Sequence, residues 1–119
     1  WDLRHAMNET SATLPRGENE FLHAGLEMAP CNLVKPPRVA KSPVAMECKV
    51  TSIQELKDIE GKGIDYWLVL GQVVGVHIDP AFIDEDGILQ LAEIKPIARC
   101  GYLADYAVVD SLFQMERPK

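Results

Sequence analysis

A chain of 119 residues, 47% of them apolar, is in the size range of one domain with a single core, and a second domain is not expected. Its 18 acidic and 12 basic side chains give a formal charge of −6, so no broad basic face exists to neutralise phosphates, and nucleic-acid binding is disfavoured. The longest strongly apolar run, 67–78, is interrupted by Gly71, Gln72, Gly75 and His77 and falls short of the ~20 residues of a membrane-crossing helix, so no membrane span is expected.

The chain opens on Trp1-Asp2-Leu3-Arg4, neither a start methionine nor a basic-then-apolar leader, and the expected reading is that an upstream portion lies outside this sequence. Leu3, Ala6 and Met7 fall at helical spacing, with Asp2 placed as N-cap and Leu14-Pro15 as the stop, which predicts a helix within 2–12. Residues 19–24 predict one or two further turns ended by Gly25, which accepts positive φ without strain. Pro30, Pro36, Pro37 and Pro43 remove backbone donors across 28–43 and predict an extended, irregular surface connection with neither helix nor central strand.

Strict alternation begins at Val44. Val44, Met46, Cys48 and Val50 are expected on the buried side of a half-buried strand, with Glu47 and Lys49 outward. Residues 66–78 are rich in β-branched and aromatic side chains, and their length with two internal glycines predicts a bent or bulged strand. The two runs are expected to pair as a hairpin with Gly61-Lys62-Gly63 near its tip. Asp79-Pro80 ends the second strand, and Asp84-Glu85-Asp86-Gly87 reads as a turn. A short helix at 89–94 and a last strand at 108–115 complete the prediction. Two good strands cannot close a barrel, so the missing strands are expected from an upstream segment or from a partner chain.

The chemistry-bearing residues do not assemble into a familiar motif. The acidic turn at 84–87 lacks the alternate ligands and closing Glu of a calcium loop. Gly71 and Gly75 lie inside a strand, unlike a dinucleotide fingerprint, and Gly61-Lys62-Gly63 lacks the rest of a phosphate-binding loop. His5, His23 and His77 have no i, i+4 spacing, so no metal site is expected; His77, at a strand end, is the one best placed to face a pocket, though a structural role is favoured. The serines have no nucleophile-elbow setting, and Cys31 reads as an inert loop thiol. Cys31, Cys48 and Cys100, odd in number and far apart, fit free thiols in a reducing, cytoplasmic compartment. The residues alone reach an acidic, mainly β domain that is incomplete by itself.

The order of motifs adds to this. Asp2-Leu3-Arg4-His5-Ala6-Met7-Asn8-Glu9-Thr10-Ser11-Ala12, then Asn19-Glu20-Phe21, Ala24-Gly25-Leu26, residues 34–44 (VKPPRVAKSPV) and Met46-Glu47-Cys48 resemble the succession found in flavin reductases of the FMN-binding split-barrel family. Residues 70–77 (LGQVVGVH) resemble that family's long strand, and Pro96-Ile97-Ala98-Arg99, Gly101, Tyr106 and Arg117-Pro118 its ending, although Cys100-Gly101-Tyr102 stands where the family usually has two glycines before the tyrosine. The resemblance implies a mainly β, split β-barrel with short helices, of which residues 1–119 are the C-terminal part of a single domain. It implies non-covalent FMN, NADH or NADPH as reductant, a homodimer, and a separate monooxygenase as a partner that receives reduced flavin.

Carried onto this chain, Asn8, Thr10, Ser11 and Ser42 are expected near the flavin, with helix C-terminal capping as the competing role for the residues 8–11. Arg99 is expected at a phosphate or nicotinamide-nucleotide charge, against a surface ion pair, and Tyr106 at a ring, against a core tyrosine. No side chain is singled out as catalytic, because hydride transfer needs positioning and water exclusion more than acid-base groups. The competing function is a non-catalytic flavin-binding or β-rich interaction protein.

Overall fold

The structure, a computed structural model, describes residues 1–118. Its dominant element is one antiparallel hairpin, β3 (Val44–Lys57) with β4 (Gly63–Ile78), which at about 3.3 Å per residue runs for about 45 Å. The overall extent of 50 Å is therefore the length of this ribbon. The tip is built on Asp58, whose carboxylate accepts the backbone N–H groups of Glu60 at 3.0 Å and Lys62 at 2.9 Å, while Gly61 supplies φ +84°. The Gly-Lys-Gly segment is thus the hairpin tip expected from the sequence.

Register shifts divide the ribbon. Glu47 pairs with Gly75 and Cys48 with Val73, so Val74 is an extra residue on β4; Val50 pairs with Gly71 and Ser52 with Leu70, so Thr51 is extra on β3. A third irregularity lies near the tip, between Glu55 and Lys57. Each inserted residue bends the ribbon and adds twist, as the two internal glycines led one to expect. Gly75 has a further reason to lack a side chain, since a Cβ there would sit 3.2 Å from Leu33 Cδ1.

The burial expected for β3 fails at its centre, although Lys49 is exposed as expected and Val44 is half-buried. Glu47 is 2% exposed and is the one fully buried polar side chain among the described residues, whereas Met46 is 65% and Val50 62% exposed. The reason is what covers each face. The side carrying Glu47 is roofed by the backbone of 32–34, while among the described residues nothing covers Met46, Cys48 and Val50 on the other side. No hydrophobic side chain among the described residues is fully buried. The radius of gyration, 17.7 Å, exceeds the ~13.5 Å of a compact domain of this length, as an open ribbon requires.

The smaller elements sit at the base of the hairpin. α1 (Arg4–Glu9) starts with Leu3 at the N-cap rather than Asp2, because Asp2 lies in a preceding turn closed by the Arg4 N–H to the Trp1 carbonyl at 3.0 Å. α2 (Glu20–His23) is capped by the Asn19 carboxamide oxygen, which accepts Phe21 N–H at 2.9 Å, and Gly25 follows at φ +64° as the sequence predicts. Within the Pro-rich connection, β1 (Met28–Ala29) and β2 (Arg38–Val39) form a two-residue antiparallel ribbon, short enough to leave every proline outside it.

A 3-10 turn at Pro80–Phe82 follows β4, and α3 (Leu91–Ile94) lies within the expected 89–94 window. The acidic segment is a turn: the Asp84 carboxylate takes the N–H groups of Asp86 and Ile88 and the side-chain amide of Gln90. The last strand differs from the expected 108–115. β6 (Tyr106–Val108) pairs with β5 (Ile97–Arg99), and residues 109–118 have no regular structure; Leu112, Phe113 and Met115 stay exposed with no partner strand among the described residues. Among the described residues no helix is long and apolar enough to cross a membrane.

The open apolar face yields an expectation. Residues 1–119 expressed alone should bind the dye ANS and self-associate. Sedimentation of a dye-silent monomer would refute the exposed face.

Candidate functional site

The base of the hairpin is organised around the Glu47 carboxylate. Three successive backbone N–H groups converge on it: Asn32 donates to Oε1 at 2.8 Å, and Leu33 and Val34 donate to Oε2 at 2.6 and 3.1 Å. His77 Nε2 lies 2.6 Å from Oε1, reaching across from β4 two residues beyond Gly75, the residue paired with Glu47. The absent Cβ at Gly75 leaves room for Leu33 and brings the loop down onto the sheet. Cys31 immediately precedes the three donors, and its Sγ lies within 4.8 Å of the Glu47 and His77 ligand atoms.

This environment holds the Glu47 carboxyl down to about 2 from an ordinary 4.5; the Asn32 N–H is the largest cause, burial opposes it, and His77, Leu33 and Val34 add to the lowering. Sequence reasoning missed this group, because alternation marks two faces of a strand without telling which one is covered. The available signal was a carboxylate and an imidazole placed on the same face of adjacent strands. His77 does face a cavity, as its strand-end position suggested.

Two clefts border this base, and a third lies between α1 and the β5–β6 pair. The largest, about 530 Å³, lies between α1, the turn before β3 and the segment 93–97; Thr10, Leu26, Val39, Lys41, Ser42 and Phe82 are among its walls. A second, about 500 Å³, is lined by Arg38, Lys41, Ser42, His77 and Asp79 together with short apolar residues. The Arg38 Nε is buried without a hydrogen-bond partner. A third, about 340 Å³, brings Asn8, Arg99 and Tyr106 together with His5.

The six residues singled out from sequence thus separate into groups. Thr10 and Ser42 meet at the largest cleft, and Ser42 also borders the second. Asn8, Arg99 and Tyr106 meet at the third, and Ser11 borders none of the three. The Thr10 and Ser11 hydroxyls each donate at 2.7 Å to the carbonyls of Met7 and Asn8, closing α1 before residue 12. Ser42 Oγ donates to the Val44 carbonyl at 2.7 Å, and the Asp79 N–H to the Pro43 carbonyl at 2.8 Å, which fixes the turn at the mouth of the hairpin. Among the described residues Arg99 forms no ion pair; its Nη2 donates to the Leu103 carbonyl at 3.0 Å and its guanidinium lies 5.8 Å from the Tyr106 ring centre. Tyr106 is 41% exposed rather than a core residue.

A pH dependence follows from the lowered Glu47 carboxyl. Its folded value is below the unfolded one, so the stabilisation it gives is fully present above about 4.5 and is lost as pH falls toward 2. Amide exchange at Asn32, Leu33 and Val34 should accelerate through that window. Glu47→Gln should expose these amides already at neutral pH and lack the acid step; an unchanged step in that variant would show that another group carries it.

With this geometry in place, likenesses to known proteins become interpretable. Residues 2–92 match the family described as Flavin reductase like domain. An uncharacterized protein of Halalkalibacterium halodurans is 30% identical over 114 residues, covering 95% of this chain and 53% of that protein. Nitrilotriacetate monooxygenase component B from Bacillus cereus superposes with a TM-score of 0.82 at 27% identity, over 95% of this chain and 55% of its own. A split-barrel protein of Shewanella frigidimarina assigned as a flavin reductase superposes with a TM-score of 0.78 at 25% identity, over 98% of this chain and 56% of its own. The chain spans about half the length of these relatives. A family match over most of its residues, joined to a mainly β architecture that superposes on split barrels, shows that this chain belongs to the flavin reductase-like family.

Proposed function

We propose that the protein is an FMN-dependent reductase that takes hydride from NADH or NADPH and delivers it to flavin, with residues 1–119 forming the C-terminal part of one split-barrel domain. The observation that carries this reading is the cleft of about 530 Å³, whose volume lies in the range of cofactor sites and whose walls combine apolar side chains with the hydroxyls of Thr10 and Ser42, the cations Arg4 and Lys41 and the carboxylates of Asp2, Asp79 and Glu93. The residues present suit such a group. Thr10 and Ser42 spend their hydroxyl protons on backbone carbonyls, so each oxygen keeps acceptor capacity for a ring N–H. Leu26, Val39 and Phe82 supply the apolar wall that excludes water. Lys41 borders both larger clefts, with Arg4 in the first and Arg38 in the second as further cations that can meet a phosphate against the global −6.

When bound, the flavin itself supplies the redox chemistry. The protein's part is to hold two rings in contact and keep water out, which is why no nucleophile or acid-base pair is required at the cleft. In this reading the third cleft takes part of the nicotinamide nucleotide. Arg99 uses only some of its five donors on Leu103 and Tyr106, which leaves others for a phosphate, and Tyr106 offers a half-exposed ring face. Asn8 would add its amide at the same cleft, while Ser11, closed onto Asn8, would serve by ending the helix.

The remaining walls of the flavin site, and a cover for the open hairpin face, would come from elsewhere in the intact protein and from a second copy in a homodimer. A likeness to a monooxygenase component B supports a monooxygenase that consumes the reduced flavin.

Two expectations test this. The intact protein should oxidise NADH or NADPH in an FMN-dependent way and quench FMN fluorescence on titration, whereas residues 1–119 alone should bind FMN weakly. Equal affinity of the two would sink the claim that other segments build the site, and colour without turnover would favour a non-catalytic flavin-binding protein. Ser42→Ala should weaken FMN several-fold, the worth of one hydrogen bond of about 1 kcal/mol. Arg99→Ala should instead raise KM for the nicotinamide nucleotide with little change in kcat, and the reverse pattern would remove Arg99 from that role.

A further inference from the structure

The cluster at the base of the hairpin contains more chemistry than the reading above uses. Cys31, Glu47 and His77 come from three different elements, a loop, β3 and β4, yet one ligand atom of each lies within 4.8 Å of the others. We propose that this trio is a binding site for a divalent d-block cation of the zinc type, held by the Cys31 thiolate, one oxygen of Glu47 and Nε2 of His77, independent of the flavin cleft.

The geometry is close to what such an ion needs. Zn–S near 2.3 Å and Zn–N or Zn–O near 2.0–2.2 Å place tetrahedral ligands about 3.5 Å apart, so the trio contracts slightly at Cys31 and opens by about 1 Å at the Glu47–His77 contact. The donor set of one thiolate, one imidazole and one carboxylate is that of a borderline-soft metal, and its two negative charges balance a divalent ion where side chains are mostly or partly buried. Glu47 has the capacity for it. Oε2 is filled by the Leu33 and Val34 N–H groups, but Oε1 receives one backbone donor, Asn32, and its second acceptor position is the one now facing His77 Nε2. Metal binding displaces the thiol proton of Cys31 to solvent, while the neutral imidazole of His77 carries its proton on Nδ1 so that Nε2 is free to ligate.

The backbone donors supply what metal sites ordinarily require beyond their ligands. Asn32, Leu33 and Val34 follow Cys31 directly, so the same hydrogen bonds that orient the carboxylate also fix where the thiol begins. Three protein ligands leave a fourth position for water, and His77, 22% exposed, reaches the second cleft as a path for entry. Spacing along the sequence hid the site, because none of its ligands is within 14 residues of another.

Cobalt(II) reports on such a site directly. The intact protein, stripped of metal and flavin and then titrated with Co²⁺, should develop a near-ultraviolet thiolate-to-cobalt charge-transfer band with tetrahedral d–d bands that saturate at one equivalent, and Zn²⁺ should abolish them. Cys31→Ser should lose the charge-transfer band, and His77→Gln should weaken binding by more than the roughly 10–100-fold that an outer-shell change costs. Cys48→Ser and Cys100→Ser should keep both. Because a ligand variant can fail to fold, a second measurement uses the unaltered chain: one equivalent of Zn²⁺ should slow alkylation of Cys31 and leave Cys100 unaffected. A titration without the charge-transfer band, a band that persists in Cys31→Ser, or alkylation of Cys31 indifferent to Zn²⁺ would overturn the site.

Discussion

The buried Glu47 carboxylate is the constraint on which the base of this chain is built. An ion removed from water is costly unless donors replace the water, and here three backbone N–H groups and an imidazole do so. Those donors belong to a Pro-rich loop with few other means of staying in place, since Pro30, Pro36 and Pro37 contribute no N–H and its only regular structure is the two-residue pairing of β1 with β2. The carboxylate thus substitutes for a sheet in fixing 32–34. Through β2 and the Ser42 turn that fixing extends to Val39, Lys41 and Ser42, the side of the largest cleft that faces the hairpin.

The hairpin itself is divided by the same constraint. Its Glu47 face is covered by polar contacts, and its opposite face presents Met46, Val50, Val73 and Val76 to solvent. Toward the tip both strands are exposed, Trp67 and Leu70 included, because the ribbon extends beyond every other element. A hairpin of this length is marginal alone in water. In a split barrel such a ribbon is one wall of a sheet, which agrees with a chain that spans about half the length of its relatives.

How far the sequence was legible depended on whether the signal was local. The hairpin, its glycine tip and the glycine that ends the turns at 19–24 were readable because alternation and turn residues act over a few positions. The extension of β3 over 52–57 was not, since Ser52-Ile53-Gln54-Glu55-Leu56-Lys57 has no strong strand preference and is held by pairing with residues from Leu70 back to Gly63. The burial of Glu47 was illegible for a similar reason, because the donors that make it tolerable lie 13 to 15 residues away. Of the six candidate site residues, the family order identified positions that line clefts in five cases, but it did not show that they divide between two separate cavities.

Charge gives the last link between fold and function. A net −6 opposes an anionic cofactor at long range, so any phosphate must be met by local donors that outweigh that field within a Debye length of about 8 Å. The base of the hairpin concentrates such donors: Lys41 borders both larger clefts, and Arg38 brings to the second one an Nε that is buried without a partner. An unpartnered guanidinium nitrogen inside the protein costs free energy unless something accepts from it. The Glu47 carboxylate is itself engaged by three backbone N–H groups, so the carboxylate that lies beside Lys41 in both larger clefts is Asp79.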